Sequence, residues 1–180
     1  MSAQGLRDLR KAIANRTFEP AYFFHGDDEY RKEAAVRELI AGAVDPATRD
    51  FNFDLLRGAD VTPEQLASAV NTLPMMADRR VVVLRDVTAL KKDARAVLER
   101  YLTRPSRDTV LIMTAPAGAK ADKGIDHGAT TIGFAVLREQ ELLEWVTRHA
   151  QDVHGVTISD RAVALLLSSV GADAGQMASE

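Results

Sequence analysis

Residues 21–29 read AYFFHGDDE, a short apolar and aromatic run that stops at a glycine and is followed by three carboxylates. Such a run predicts a buried strand over Ala21–His25 that meets a turn at Gly26. Asp27 and Asp28 then stand where helix N-caps stand. The apolar residues that follow recur at helical spacing: Ala35, Val36, Leu39, Ile40 and Ala43. The sequence therefore predicts a strand, a turn and a helix at this point.

The alternation of strand and helix continues along the chain. Phe51, Phe53 and Leu55 alternate with Asn52 and Asp54, which predicts a strand with one polar face that is ended by Gly58. Further strand patterns fall at residues 81–84, 109–113 and 130–134. Helical periodicity is found at residues 6–15, 62–73 and 90–102, and residues 115–128 are predicted to be a loop. Because repeated βα units need crossover connections, we expect an α/β fold with a five-stranded, mostly parallel sheet that is flanked by helices on both faces.

From Leu137 onwards the pattern is helical alone. The apolar side of the first helix is formed by Leu142, Leu143, Trp145 and Val146. Gly155 interrupts the pattern, and Ser159 is placed to cap a second helix. We predict an α/β domain over residues 1–138 and the beginning of a small helical domain over residues 139–180. Since so little helix hardly closes a bundle, we expect the N-terminal part of a longer protein.

The composition is that of a globular protein, with 180 residues, 46% of them apolar, 27% charged, and a net charge of -3. The chain has no cysteine, and its four histidines lack ligand spacing, so no metal is expected. Basic and acidic residues are mixed, which argues against a main affinity for the DNA backbone. Because no run resembles a membrane helix or a signal peptide, we predict a cytoplasmic protein.

The turn after the first strand is where a nucleotide-handling α/β protein keeps its phosphate-binding loop. The pattern G-x-x-x-x-G-K-[ST] is not met, because Gly26 is not followed by the second glycine or by a Lys-Ser or Lys-Thr pair. Asp27, Asp28 and Glu29 place three carboxylates at the helix N-terminus, where they would repel a phosphate. The turn is interpreted as a degenerate phosphate loop, with no nucleotide or other cofactor expected.

Other candidates for chemistry are weak. Asp86, at the end of the third predicted strand, lacks an acidic neighbour for magnesium, and Thr114 after the fourth has no phosphate to sense. The serines lack a nucleophile elbow, and the sequence contains no GxGxxG. We assign no catalytic residue. A dispersed catalytic site stays open at this point, because residues far apart in sequence can converge.

An apolar pair comes just after a predicted helix, in the segment LPMMADRR at residues 73–80. Pro74 is expected to end the helix and to leave Met75 and Met76 beside polar residues. Two interpretations are open. The methionines plug the core beneath the next strand, or they protrude as a flexible apolar wedge that enters a pocket on a partner. Leu73 falls on the apolar stripe of the helix and is expected in the core.

The order of AYFFHGDDE, LPMMADRR, VVVL and TVLIMT along the chain resembles the delta subunit of bacterial DNA polymerase III. In that family a Gly-Asp-Glu turn replaces the phosphate loop, and it matches Gly26, Asp28 and Glu29. The resemblance implies an AAA+-like module of the P-loop NTPase type that has lost ATP binding. In the family a helical lid domain and a C-terminal collar domain follow it, and the resemblance leads us to expect that the collar is not part of this chain.

The family also has an apolar doublet before a small residue and an arginine. It matches Met75 and Met76, followed by Ala77 and Arg79, with Leu73 and Pro74 as further supporting residues. The resemblance implies that the doublet enters a pocket of the sliding clamp, the beta subunit. Many family members have an aromatic second residue, from which Met76 departs.

The resemblance further implies a clamp-loader subunit for DNA replication that opens the clamp ring without hydrolysing ATP. The other partners would be the ATPase subunits gamma or tau and the delta-prime subunit, with DNA contacted only through the complex. DNA-directed polymerase activity, a nucleotidyltransferase reaction, would belong to the holoenzyme. The alternatives are a small P-loop-like nucleotide-binding enzyme with a degenerate phosphate loop and a generic α/β protein-interaction domain.

Overall fold

The computed structural model describes residues 2–171 and 173–179. Its strands are β1 Ala21–His25, β2 Phe53–Arg57, β3 Arg80–Arg85, β4 Thr109–Thr114 and β5 Thr130–Gly133. Its helices are α1 Ser2–Asn15, α2 Glu29–Ala43, α3 Arg49–Asn52, α4 Pro63–Asn71, α5 Lys92–Leu102, α6 Lys123–Asp126, α7 Glu139–His154, α8 Asp160–Val170 and α9 Ala174–Ser179. Apart from the short helix α3, which comes after α2 and before β2, strands and helices alternate up to β5, and the regular structure described after it is helical.

Within the described residues, the five strands form one sheet in the order β2-β3-β4-β1-β5, and every neighbouring pair is parallel. β4 is buried along its whole length, and residues 81–84 of β3 are each 0% exposed. Such burial is typical of central parallel strands that are covered on both faces. The predicted α/β fold class is therefore confirmed.

Each face of the sheet has its own apolar core. Phe23 of β1 belongs to the core shared with α4 and α5, together with Leu66 of α4. Phe24, the next residue, belongs to the core shared with α1 and α2, together with Leu39 of α2. Alternate residues of the strand thus serve opposite faces, as its period of two requires. Each large apolar side chain buried in this way contributes roughly 1.5–3 kcal/mol.

Two of the predicted helix starts have the hydrogen bonds of helix caps. The Asp28 carboxylate accepts the N–H of Arg31 at 3.0 Å and so caps α2. Thr62 Oγ1 accepts the N–H of Gln65 at 3.2 Å, and Gln65 Oε1 accepts the N–H of Thr62 at 3.0 Å. This reciprocal arrangement is a capping box at the start of α4, and the sequence predicts it, because Thr62 is a capping residue that is followed three positions later by Gln65.

The second strand begins later than predicted. β2 starts at Phe53 rather than Phe51, because residues 49–52 form the short helix α3. The alternating apolar residues do not mark a fully buried face either, since Phe51 is 53% exposed and Leu55 is 55% exposed. β2 is an edge strand of the sheet, and side chains at an edge are only partly covered.

The predicted loop over residues 115–128 contains the short helix α6. It starts because the Asp122 carboxylate accepts the N–H of Gly124 at 2.9 Å, a local contact that a composition rich in small residues hides. The fifth strand ends at Gly133, one residue before its predicted end.

Helices α7, α8 and α9 share a core of their own. Its buried members are Leu142, Val146, Val163, Ala174 and Met177. Gly155 ends α7 with a φ of 67°, and Ser159 Oγ accepts the N–H of Ala162 at 3.3 Å at the start of α8. Both features agree with the sequence prediction. No described helix has the length and apolar character needed to cross a membrane.

An aromatic cluster joins α7 to α2. The Tyr30 hydroxyl lies 3.3 Å from His149 Nε2, and the rings of Trp145 and His149 stack with their centroids 4.6 Å apart. Burial lowers the pKa of His149 below its ordinary value, and the nearby charge of His154 acts in the same direction. The three helices after the sheet therefore dock onto the helix that follows the Gly26 turn.

Candidate functional site

Residues 72–79 connect α4 to β3 and form the apolar loop. Its large apolar side chains face solvent: Leu73 is 71% exposed, Met75 is 53% exposed and Met76 is 77% exposed. Pro74 and Ala77 are half-buried between them. Because both methionines are exposed, they do not plug the core beneath β3. Adjacent exposed apolar side chains of this size are typical of an interaction surface.

The prediction that Leu73 lies in the core is wrong. The apolar stripe of α4 is buried at Leu66, Ala69 and Val70. The helix ends at Asn71, however, and Thr72 has extended backbone with φ -73° and ψ 129°. The helical period therefore no longer applies at residue 73, and the side chain points away from the core.

A buried amide fixes the backbone of the apolar loop. Asn52, only 1% exposed, donates from Nδ2 to the Met75 carbonyl at 2.8 Å and accepts the Met75 N–H on Oδ1 at 2.7 Å. Met76 follows with a φ of 53°, a left-handed conformation that costs a residue with a side chain roughly 1–2 kcal/mol. The two bonds from Asn52 help to hold this strained backbone, and the methionine side chains extend from it into solvent.

The sequence interpretation missed Asn52. It placed this residue on the polar face of a strand, whereas its amide is buried at the end of α3. Its partner lies 23 residues further along the chain, so no local pattern indicates the contact.

Two arginines tie the end of the apolar loop to the rest of the protein. The Arg79 guanidinium lies over the Phe18 ring, 4.7 Å from its centroid. Arg80 donates from Nη1 to the Phe51 carbonyl at 2.6 Å and from Nε to Asp54 Oδ2 at 3.0 Å. The loop is thus anchored at its middle and at its C-terminal end, and it presents Met75 and Met76 on a fixed backbone.

The predicted degenerate phosphate loop, residues 26–29, forms a closed turn. Gly26 has a φ of 114°, and a Cβ at this position would overlap the Phe134 carbonyl oxygen. The same carbonyl accepts the Asp28 N–H at 2.9 Å. Asp27 Oδ1 accepts the N–H of Gly118 at 2.7 Å. Backbone of the residue directly after β5 and of the loop after β4 therefore closes on the turn.

Lys32, which the sequence interpretation did not single out, is buried beneath the closed turn at 1% exposure. Its Nζ donates to the carbonyls of Gly26 at 3.0 Å and Ala115 at 2.7 Å, and to Glu29 Oε1 at 2.6 Å. Lys32 stands six positions after Gly26, the spacing of glycine and lysine in G-x-x-x-x-G-K. Its ammonium binds the ends of β1 and β4 instead of facing outward.

Neighbouring charged groups are also paired within the chain. Asp28 Oδ2 accepts from Arg31 Nε at 2.6 Å. Glu33, which occupies the place of the motif's Ser or Thr, forms a two-pronged ion pair with Arg85 at the end of β3, in which the second bond is 2.9 Å long. P-loop proteins hold magnesium between the hydroxyl of this Ser or Thr and an acidic side chain at the end of a strand. An ion pair lies there in this chain.

The remaining acidic candidate has a structural role. Asp86 adopts a φ of 53° in the turn after β3, and its carboxylate accepts the Thr88 hydroxyl at 2.5 Å. Residues 2–171 and 173–179 contain no group of three or more His, Cys, Asp or Glu side chains arranged to hold a metal ion. The apolar loop is therefore the strongest candidate for a functional site.

Comparison with solved structures identifies the fold. The RuvB Holliday junction branch migration motor of Thermotoga maritima matches with a TM-score of 0.62 and 14% identity, over 99% of this chain and 60% of its own. A DNA polymerase III gamma subunit-related protein of the same organism matches with a TM-score of 0.54 and 16% identity, over 84% of this chain and 52% of its own. These likenesses show the fold, which is that of the AAA+ group of P-loop proteins.

Comparison with families is more specific. The model of the family "DNA polymerase III, delta subunit" matches residues 22–130, and the chain belongs to this family. The Bacillus subtilis DNA polymerase III subunit delta is 26% identical over 117 residues, which are 61% of this chain and 34% of that protein. The structure of the Bacillus subtilis DNA clamp loader delta protein, YqeN, matches with a TM-score of 0.78 and 22% identity over 96% of this chain.

The chain spans only part of these relatives. It covers 34% of the Bacillus subtilis subunit in sequence and 55% of the chain of the YqeN structure. The family match includes both the closed turn and the apolar loop.

Proposed function

We propose that this chain is the clamp-binding part of a clamp-loader delta subunit, and that Met75 and Met76 enter a hydrophobic pocket of the sliding clamp. One observation carries the proposal: two adjacent, exposed methionines stand on a backbone that the buried Asn52 side chain fixes. Leu73, Pro74, Ala77 and Arg79 support the pair, Leu73 as a third exposed apolar contact and Arg79 as an anchor.

The physical chemistry of this loop suits a tight contact. Burial of two large apolar side chains contributes roughly 3–6 kcal/mol, at about 1.5–3 kcal/mol each, before the costs of association are subtracted. Methionine is unbranched and polarisable, so it fills irregular pockets. Because Asn52, Arg79 and Arg80 already fix the backbone, little loop entropy is lost on binding.

Opening of the clamp ring follows from a difference in affinity. A bound subunit shifts the ring from closed to open only to the extent that it binds the open form more tightly. The doublet is proposed to act as a wedge that prefers the pocket as it is shaped in the open ring.

ATP hydrolysis is assigned to neighbouring subunits. The proposal of a non-catalytic subunit is supported by the closed turn, in which Lys32 and Glu29 bind each other and Arg31 binds Asp28. We therefore place the ATPase subunits gamma or tau, together with delta-prime, beside this subunit in the loader, and DNA contact in the complex as a whole. We further propose that residues 1–138 form the clamp-binding AAA+-like domain and that residues 139–180 begin a lid.

Calorimetric titration of this chain with the sliding clamp of the same organism tests the proposal. The variant Met75→Ala, Met76→Ala is expected to bind at least about tenfold more weakly, a loss of about 1.4 kcal/mol or more, because its side chains no longer fill the pocket. Leu165→Ala is the matched control, since Leu165 on α8 is 66% exposed but lies outside the apolar loop. Equal affinity of the double variant and the original chain would contradict the assignment.

A further inference from the structure

The outer edge of β2 has backbone groups that the sheet does not use. The Gly58 N–H donates to the Arg85 carbonyl of β3 at 2.8 Å. Backbone groups of a strand point to alternate sides, so Leu56 also faces β3. The N–H and C=O of Leu55 and the N–H of Arg57 therefore point away from the sheet. β2 ends the strand order, and no strand among the described residues lies on that side.

A groove runs along this edge between β2 and α4. Its volume is about 560 Å³. The apolar part of its lining is formed by Leu55, Leu56, Val61 and Ala69. Thr72 and Arg80 line it as well. Thr72 is the first residue of the apolar loop and Arg80 is the residue directly after it, so the groove reaches both ends of the loop that carries Met75 and Met76.

The two edge strands of the sheet differ in how well they are shielded from pairing with a further strand. β5, the opposite edge, contacts α1, and Ile132 shares a core with Leu9 of that helix. Natural proteins use proline and charged side chains to block edge pairing. β2 contains no proline, and of its two charged residues Asp54 is paired with Arg80 of β3, which leaves Arg57 as the charge in the strand without an ion pair to a described residue. β2 also exposes 55% of Leu55. An uncovered, partly apolar edge of this kind is the template on which an extended peptide adds a strand.

We propose that β2 accepts an extended segment of the sliding clamp as an additional strand when Met75 and Met76 enter the clamp's pocket. The inference rests on the proposed function and deepens it. A partner seated on the methionines is expected to reach the groove, because Thr72 and Arg80, at the two ends of the apolar loop, line it. The added segment bonds the outward backbone groups of Leu55 and the N–H of Arg57, and one of its apolar side chains packs against Leu56, Val61 and Ala69.

Amide hydrogen exchange resolved by residue tests the pairing on the unaltered chain. In the free chain the outward amides of Leu55 and Arg57 exchange with solvent, and saturation with the sliding clamp is expected to slow both by at least about tenfold. The inward amide of Leu56 serves as an internal reference that β3 already protects. Unchanged exchange of Leu55 and Arg57 in the saturated complex would overturn the proposal.

Leu55→Pro tests the energetics. Proline removes the outward N–H but leaves the bonds to β3, and edge strands tolerate it in that position. The clamp affinity is expected to fall about tenfold, because one backbone hydrogen bond is lost and the added strand packs less well against the proline. The matched variant Leu55→Ala keeps the N–H and is expected to lose about threefold at most. If Leu55→Pro does not fold, the exchange measurement decides alone.

The outcomes separate this proposal from the one on which it rests. Wild-type affinity of Leu55→Pro, combined with lost binding by Met75→Ala, Met76→Ala, would overturn edge pairing and keep the wedge. A chain that shows no binding to the clamp at all would overturn both.

Discussion

The apolar loop and the closed turn are built in similar ways and lead to opposite results. Each is a short connection next to a parallel strand, and in each a buried polar side chain binds backbone groups: Asn52 in the loop and Lys32 beneath the turn. In the turn, the neighbouring charges pair with one another inside the chain. In the loop, the neighbouring side chains extend into solvent. A fixed backbone thus serves to close one site and to present another.

The largest effect on stability is expected from Lys32→Met. Methionine keeps most of the volume but leaves the carbonyls of Gly26 and Ala115 without their donor and removes the partner of Glu29. Unsatisfied buried groups and a broken ion pair together cost about 3 kcal/mol. Urea unfolding followed by circular dichroism measures the change in the free energy of unfolding.

Lys92→Met is the control for this variant, because Lys92 is exposed in the first turn of α5. Its free energy of unfolding is expected to change by less than about 0.5 kcal/mol. Equal stability of the two variants would mean that the inward bonds of Lys32 do not hold the turn together.

Asn52→Leu is expected to have a smaller effect on stability and an additional one on binding. The substitution leaves the N–H and C=O of Met75 unpaired, which costs about 2 kcal/mol. Because Met75 and Met76 stay in the sequence, any loss of clamp affinity reports on the anchoring of the loop. Unfolding and calorimetry on the same variant separate the two effects.

Asn15→Leu provides the comparison, since Asn15 is exposed at the end of α1. We expect near-original stability and clamp affinity for it. If Asn52→Leu binds the clamp as tightly as Asn15→Leu does, the bonds from Asn52 to Met75 do not contribute to clamp binding.

Features that depend on neighbouring residues could be predicted from the sequence. β1, the capping box of Thr62 and Gln65, and the buried run of β3 are local patterns, and the structure has them where they were expected. The absence of the G-x-x-x-x-G-K-[ST] motif could also be read directly. The exposed doublet was one of two open interpretations, and the family resemblance decided between them.

The errors concern the exact end of one helix and contacts between distant residues. Leu73 continues the apolar stripe of α4, and only the end of the helix at Asn71 turns it outward. Asn52 acts on a residue 23 positions away, and Lys32 reaches Ala115 across 83 positions. For Lys32 a signal existed, namely its spacing from Gly26. Its inward direction depends on the carbonyls at the ends of two strands, which no single segment contains.

The smallest expected effect is the change in thermal stability on addition of nucleotide. Millimolar ATP with magnesium is expected to leave the thermal unfolding midpoint unchanged, because Lys32 and Arg31 are engaged within the chain and the carboxylates of Asp27 and Asp28 lie at the phosphate position. A bound nucleotide at about 1,000 times its Kd would add about 4 kcal/mol and raise the midpoint measurably. Such a rise would favour the nucleotide-binding enzyme instead.

Arg31→Gly combined with Glu33→Thr makes this test sharper. The double variant restores the letters G-x-x-x-x-G-K-T from residue 26 to residue 33. It is still expected to show no midpoint shift with ATP and magnesium, because the Lys32 ammonium keeps its two carbonyl partners and Gly26 stays against the Phe134 backbone. A shift in the double variant alone would mean that the two substituted side chains, and not the closure of the turn, exclude nucleotide. Lys32 would then still correspond to Asn52 as a buried side chain that fixes backbone. Closure of the turn, however, would no longer explain why nucleotide does not bind.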